Sequence, residues 1–385
     1  MNQLFRDTVL VLYILGGFLM YQPEKSEAAT FRLAELNGRS CLVQADGSPF
    51  FSLGINHIQN LTQREDVIDP VNACKQVFEN LITWGFNTAG YGSPEPLTNL
   101  MPYFAPIYLT KNANYHSDKE FMYPDVFDPA VQERFREIIR YEIGKHDGNP
   151  NLIGYYWTDT PQWNLERARK TRETDWVSAL RSLPDHAPGK KRYEAFRKES
   201  GATDDAFLRL IARELYRVVG EETRRLAPET LVFGERYLAN DHPACVIEEA
   251  LPYIDVLSIQ PGGAVFPADY FDQLFETYQL PIIICDHQCS FPTAAYAKTM
   301  WQQMASEDAA GMAYSAYLDE AVRKPYILGY QRCQYIDVYE EHLGVLKQGM
   351  LQGNQAPYRT LVEYVSNANQ RVMKLFDSEC KRRVD

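Results

Sequence analysis

Apolar and polar positions along this chain repeat in one pattern: a short run of consecutive apolar residues, a few polar residues closing it, then a longer stretch with apolar residues at helical spacing. Runs without alternation mark strands buried on both faces, and their succession with helical stretches predicts a parallel sheet. Eight runs fit: residues 49–57, 84–91, 106–109, 152–159, 231–237, 254–260, 281–287 and 326–335, the last preferred over 309–317 for the eighth place. Helices are expected over 71–82, from Asp128-Pro129 to His146, over 191–198 inside a charged excursion (165–200), over 204–226, over 294–305 and over 357–376. Asp128 before Pro129 is a helix start, because Asp caps free N–H groups and Pro loses nothing in the first turn.

Ahead of the first run, residues 31–36 and 40–44 with a turn at Asn37-Gly38 predict a small hairpin. No Pro/Gly-rich linker divides the chain. The fold expected is α/β: a single-domain (β/α)8 TIM barrel over residues 29–377, with the hairpin at 29–46 and a mobile polar tail at 378–385. Residues 111–124, with His116, Phe121, Met122 and Tyr123, read as a loop walling the cleft.

Composition narrows the function. A formal net charge of -12 with no Lys/Arg run excludes a nucleic-acid surface. Residues 1–28 read as a signal peptide: Arg6, an apolar run over 9–20, and Ser26-Glu27-Ala28 as a small-x-small cleavage site. A periplasmic or secreted protein follows, with no membrane attachment after cleavage. Seven cysteines without CxxC spacing argue against a zinc cluster, and neither a metal nor a cofactor is expected; disulfide pairing and oligomeric state stay open.

Candidate chemistry lies where the strands end, since such barrels carry their sites at the strands' C-terminal ends. The run 152–163 ends in Trp157, Asp159 and Trp163, a carboxylate between two aromatic stacking surfaces. The other ends supply Asn56, His57, Asn87, Glu235, Arg236, Tyr237, Gln260, Asp286, His287, Gln331 and Gln334. Asp159, Glu235 and Asp286 are the catalytic candidates and the rest are substrate-binding candidates. Carboxylates among amides, His and Arg are the inventory for hydrolysing glycosidic bonds, one carboxyl protonating the leaving oxygen and another attacking or activating water. The substrate partner expected is a poly- or oligosaccharide.

Several segments, in order and spacing, resemble the agarase-like branch of the clan A glycoside hydrolases: residues 51–56, Trp84-Gly85-Phe86-Asn87-Thr88, 123–129, Gly154-Tyr155-Tyr156, 231–237 and 329–335. The resemblance implies a retaining (β/α)8 enzyme acting on galactans such as agar. It also implies an acid/base Glu after the fourth strand and a nucleophilic Glu after the seventh. The matching positions here are Asp159-Thr160 and Asp286, so the usual Glu pair is replaced. Asp is shorter, and a shift of about 1 Å at a reacting centre can cost on the order of 100-fold.

Three arrangements remain. Asp159 is the acid with Asp286 the nucleophile; or the same pair stands roughly 6.5–9.5 Å apart around a water, inverting the anomer; or Glu235 is one of the pair. A hydrolase for an unusual sugar fits the shorter acids. The alternative class is a degenerate barrel that binds carbohydrate without cleaving it.

Overall fold

The computed structural model describes residues 31–109 and 123–381. The signal-peptide reading and the cleft-loop residues His116, Phe121 and Met122 lie outside the described residues. The chain enters through β1 (Phe31–Leu36) and β2 (Arg39–Gln44), turned at Asn37-Gly38, where both residues take positive φ. β3 (Pro49–Phe50) pairs with β2, so the hairpin is a three-stranded sheet. Only β4 (Ser52–Ile55) of the run 49–57 therefore enters the barrel.

α1 (Gln59–Thr62) and α2 (Pro70–Thr83) lead to β5 (Thr88–Ala89), and α3 (Glu95–Thr98) to β6 (Tyr103–Pro106). α4 (Pro129–Gly144) precedes β7 (Leu152–Asp159), and Asp128 caps α4 as its sequence implies, accepting the Ala130 N–H. The charged excursion forms α5 (Leu165–Arg172), α6 (Trp176–Arg181) and α7 (Pro188–Phe196). α8 (Asp204–Leu226) then packs outside β8 (Leu231–Leu238).

α9 (Ala244–Ala250), β9 (Leu257–Gln260), α10 (Ala268–Tyr278) and β10 (Ile282–His287) follow. After β11 (Cys289–Ser290) and β12 (Gln302–Gln303) come α11 (Glu307–Arg323) and β13 (Ile327–Arg332). The chain ends with β14 (Val338–Glu340), β15 (Val345–Lys347) and α12 (Arg359–Lys381). β4 to β10 pair in sequence and β13 closes the ring between β10 and β4, giving the eight-stranded parallel barrel, a (β/α)8 fold.

Four segments differ from the pattern reading. The run 84–91 yields only Thr88–Ala89 as strand, because Trp84 and left-handed Gly85 terminate α2. The third strand is Tyr103–Pro106 rather than 106–109, since Tyr103 is the residue that pairs with both Ala89 and Leu152. Residues 294–305 form no helix: the Ser290 hydroxyl and carbonyl take up Met300 and Met304 of that segment through β11 and β12, and the helix starts only at the Ser306 cap. The expected mobile tail is helical to Lys381, pinned where Asn37 Nδ2 donates to the Cys380 carbonyl and Arg39 pairs with Glu379.

Inside the barrel, the rings of Phe104, Tyr156 and Phe233 meet at 4.9 to 5.5 Å and fill its middle. Beside them lies a polar layer: Gln331 donates to the Ser52 hydroxyl, which donates to Thr88. A Cβ at Gly54 would stand 1.8 Å from the Gln331 carboxamide oxygen, so a larger residue there would displace that amide from the layer.

Candidate active site

Two carboxylates meet one guanidinium at the C-terminal mouth. Arg236 Nη1 stands 2.7 Å from Asp159 Oδ1, and Nη2 stands 3.7 Å from Asp286 Oδ2 and donates to the Cys285 carbonyl at 2.7 Å. The guanidinium lies 4.1 Å from the Tyr91 ring centroid and 5.6 Å from that of Tyr156, and is fully buried. Burial opposes its charge, but Asp159 and Asp286 outweigh that and hold it protonated. Gln260 Nε2 donates to Asp159 Oδ1 at 2.8 Å, and Asn56 Nδ2 donates to Asp286 Oδ1 at 2.7 Å while Asn56 Oδ1 accepts the Tyr91 N–H.

The two acids differ in setting. The Asp159 side chain is 18% exposed and that of Asp286 only 5%. Burial pushes the Asp286 carboxyl above the usual aspartate value, against the pull of Arg236, Lys347 and the Asn56 amide. His57, held at a φ of 59°, places Nε2 4.0 Å from Asp286 Oδ2; burial, then the charges of Lys347 and Arg236, keep its imidazole neutral. Cys333 completes a group with His57 and Asp286 whose donor atoms lie within 4.8 Å of one another. Those three could reach one metal ion, and the neighbouring Arg236 and Lys347 charges oppose it.

Glu235 does not join this group, which is a correction. Leu231 and Phe233 face the barrel interior, so plain alternation would bring Glu235 inward; instead Gly234 takes a φ of 62°, the pairing with β7 slips, and Arg236 turns inward. Glu235 points toward α8, where the Tyr216 hydroxyl and the Trp163 indole N–H donate to its Oε2 at 2.5 and 2.6 Å.

Burial there pushes the Glu235 carboxyl up to about 7. Its stabilising effect is therefore complete below the ordinary carboxyl value and lost as pH rises toward 7, roughly 3 kcal/mol across the window. Glu235→Gln is expected to melt with wild type at pH 5 and several degrees above it at pH 8, as thermal melts at both pH values would show. Equal melting at pH 8 would contradict the ionised state assigned to this buried group.

Other candidates are also structural. Trp157 and Trp163 are 1% exposed, Trp157 donating to Thr223 and stacked on Tyr216, Trp163 stacked on Trp176. Neither offers a face to a sugar. Tyr237 is buried against Tyr216, their hydroxyls 2.9 Å apart, and Asn87, before β5, ties the Phe51 carbonyl to the Leu53 N–H. His287 turns outward onto the Tyr317 ring at 4.1 Å, while Gln331 lies in the polar layer and Gln334 donates to the Ile336 and Lys347 carbonyls, all fully buried.

Thus Asn56, His57, Asp159, Arg236, Gln260 and Asp286 come together, joined by Tyr91, Tyr108, Tyr156, Cys333 and Lys347, which the sequence reading passed over. Tyr91 was visible as the last aromatic of its run. Lys347 had no signal, since it arrives on a hairpin beyond the last barrel strand. A separate cavity of about 510 Å³ opens between α2 and α12, lined by Asn80, Trp84, Tyr335, Arg359 and Glu363, and shares no residue with this group.

No protein-family model and no curated protein sequence matches this chain. Solved structures resemble it in fold. An agarase, AgWH50C, is 17% identical with a TM-score of 0.74, over 94% of this chain and 66% of its own. An exo-beta-agarase is 16% identical with a TM-score of 0.75, over 91% and 66%. A GH2 beta-galacturonidase from Eisenbergiella tayi bound to galacturonate is 13% identical with a TM-score of 0.56, over 89% and 54%. The chain thus spans just under two thirds of the length of those agarases.

Proposed function

We propose that this protein is an exported glycoside hydrolase acting on a polysaccharide or its oligosaccharides, with Asp159 and Asp286 as its carboxyl pair. The observation that carries the reading is the convergence of these two acids, from the ends of β7 and β10, on opposite nitrogens of Arg236 in an aromatic mouth. Asp159, which solvent reaches, protonates the leaving oxygen and regains its proton from water. Asp286, oriented by Asn56 and facing Arg236 and Lys347, attacks the anomeric carbon or activates the water that does. Tyr108, 44% exposed beside Tyr91, takes the sugar-stacking place given to the two tryptophans.

The agarases among the similar structures support an algal galactan as substrate, and the galacturonidase widens the range to sugars that carry galacturonate. The apolar leader supports a periplasmic or secreted location; among the described residues no helix is long and apolar enough to cross a membrane.

A second reading has its own observation. Arg236 answers the charge of both acids at once, which ties up the groups that proton transfer and attack would need and favours a barrel that binds sugar without cleaving it. Incubating the purified protein and Asp159→Asn with algal, plant and microbial polysaccharides separates the two. Sugar release by wild type, lowered about 100- to 10,000-fold in the variant, supports the hydrolase, and the product anomer then distinguishes retention from inversion. Binding without release, unchanged in the variant, would establish the degenerate barrel.

A further inference from the structure

Arg332 ends β13 with its guanidinium outside the barrel wall, toward α11, and fully buried. Its Nε contacts Met350 Sδ at 3.1 Å, and its guanidinium carbon stands 5.7 Å from the Tyr314 ring centroid. Nη1 and Nη2 have no hydrogen-bond partner among the described residues. The acids of α11 are engaged elsewhere or point away: Glu307 accepts the Leu361 N–H, Asp319 pairs with Arg371, and Asp308 and Glu320 are exposed.

The groups around this charge are neutral. The His287 ring has both nitrogens within hydrogen-bond distance of neutral oxygens, the Tyr330 hydroxyl and the Gly263 carbonyl, and burial holds its imidazole down to about 4. The Tyr314 hydroxyl donates to Asn369, and the Cys289 thiol, buried nearby, feels the Arg332 charge.

A buried cation with no counter-charge costs several kcal/mol even after relaxation; a desolvated cation–π contact can return about 2 kcal/mol or more, but here the guanidinium carbon stands 5.7 Å from the ring centroid, near the outer limit of such a contact. We infer that a small monovalent anion of halide size binds at Arg332, held by Nη1 and Nη2. Tyr314, Cys289, His287 and Met350 are each at most 1% exposed, so these surroundings are sealed from solvent, and a single-atom ion asks less room of them than a phosphate or carboxylate would. The site is built into the wall behind the mouth and does not depend on the function proposed above.

The test uses wild type and Arg332→Met, dialysed into sodium gluconate and titrated with sodium chloride or bromide at constant ionic strength. The wild-type melting temperature is expected to rise saturably with either halide, and a bromide-soaked crystal to show an anomalous peak against Nη1 and Nη2. Arg332→Met is expected to lose the halide response. Equal wild-type melting in gluconate and chloride, with water or nothing at Arg332 in the bromide map, overturns the inference. So does bromide found only at other surfaces, or a folded Arg332→Met that keeps the response; if that variant does not fold, the wild-type bromide map decides.

Discussion

Asp286→Asn is expected to lower sugar release by at least about 1,000-fold while the protein stays folded, the loss falling on kcat. Asn keeps the shape of the side chain and can still meet Asn56, so a fall in activity reports the missing carboxylate and not a collapsed mouth. The pH profile carries a second signature. Asp286 acts ionised, and burial raises its proton affinity above that of an ordinary aspartate. Activity should therefore fall on the acid side through an apparent value above the usual aspartate range. Release by Asp286→Asn within tenfold of wild type would remove Asp286 from the chemistry.

Arg236→Met carries the largest expected effect on stability. The substitution leaves Asp286 and Asp159 sharing a mouth without the cation between them. Breaking a buried ion pair by removing one partner costs about 3–5 kcal/mol, and here the lost partner is fully buried and serves two acids. Urea unfolding at pH 7 should show a loss of that size, and adding Asp286→Asn to Arg236→Met should recover part of it. A loss below about 1 kcal/mol, or no recovery in the double variant, would mean that Arg236 holds Tyr91 and Tyr156 and does little for the acids.

The architecture was legible because buried parallel strands leave a plain mark, an unbroken apolar run with a helix after it. Ile282 to Ile284 could be little else. Which way each side chain points at a strand's end was harder to read. Glu235, Arg236 and Tyr237 were all taken for the mouth because they end one strand, and a left-handed glycine before them leaves only Arg236 there. Trp157 and Trp163 show the opposite difficulty: an aromatic beside a carboxylate looks the same in sequence whether it faces a sugar or seals a helix against the barrel. Asp159 and Asp286 were found because their strands do reach the mouth. Lys347 was not, because no local pattern tells where a hairpin beyond the last barrel strand will fold back.

The closing seam has a further consequence, for folding. β13 pairs Gly329–Arg332 with Ser52–Ile55, and α12 then fastens to the turn between β1 and β2. Until β13 is in place, β4 and β10 are both open edges, each able to template a foreign strand. Wherever the chain folds, its most aggregation-prone interval is the one in which seven strands have paired and Ile327–Arg332 has not yet joined them.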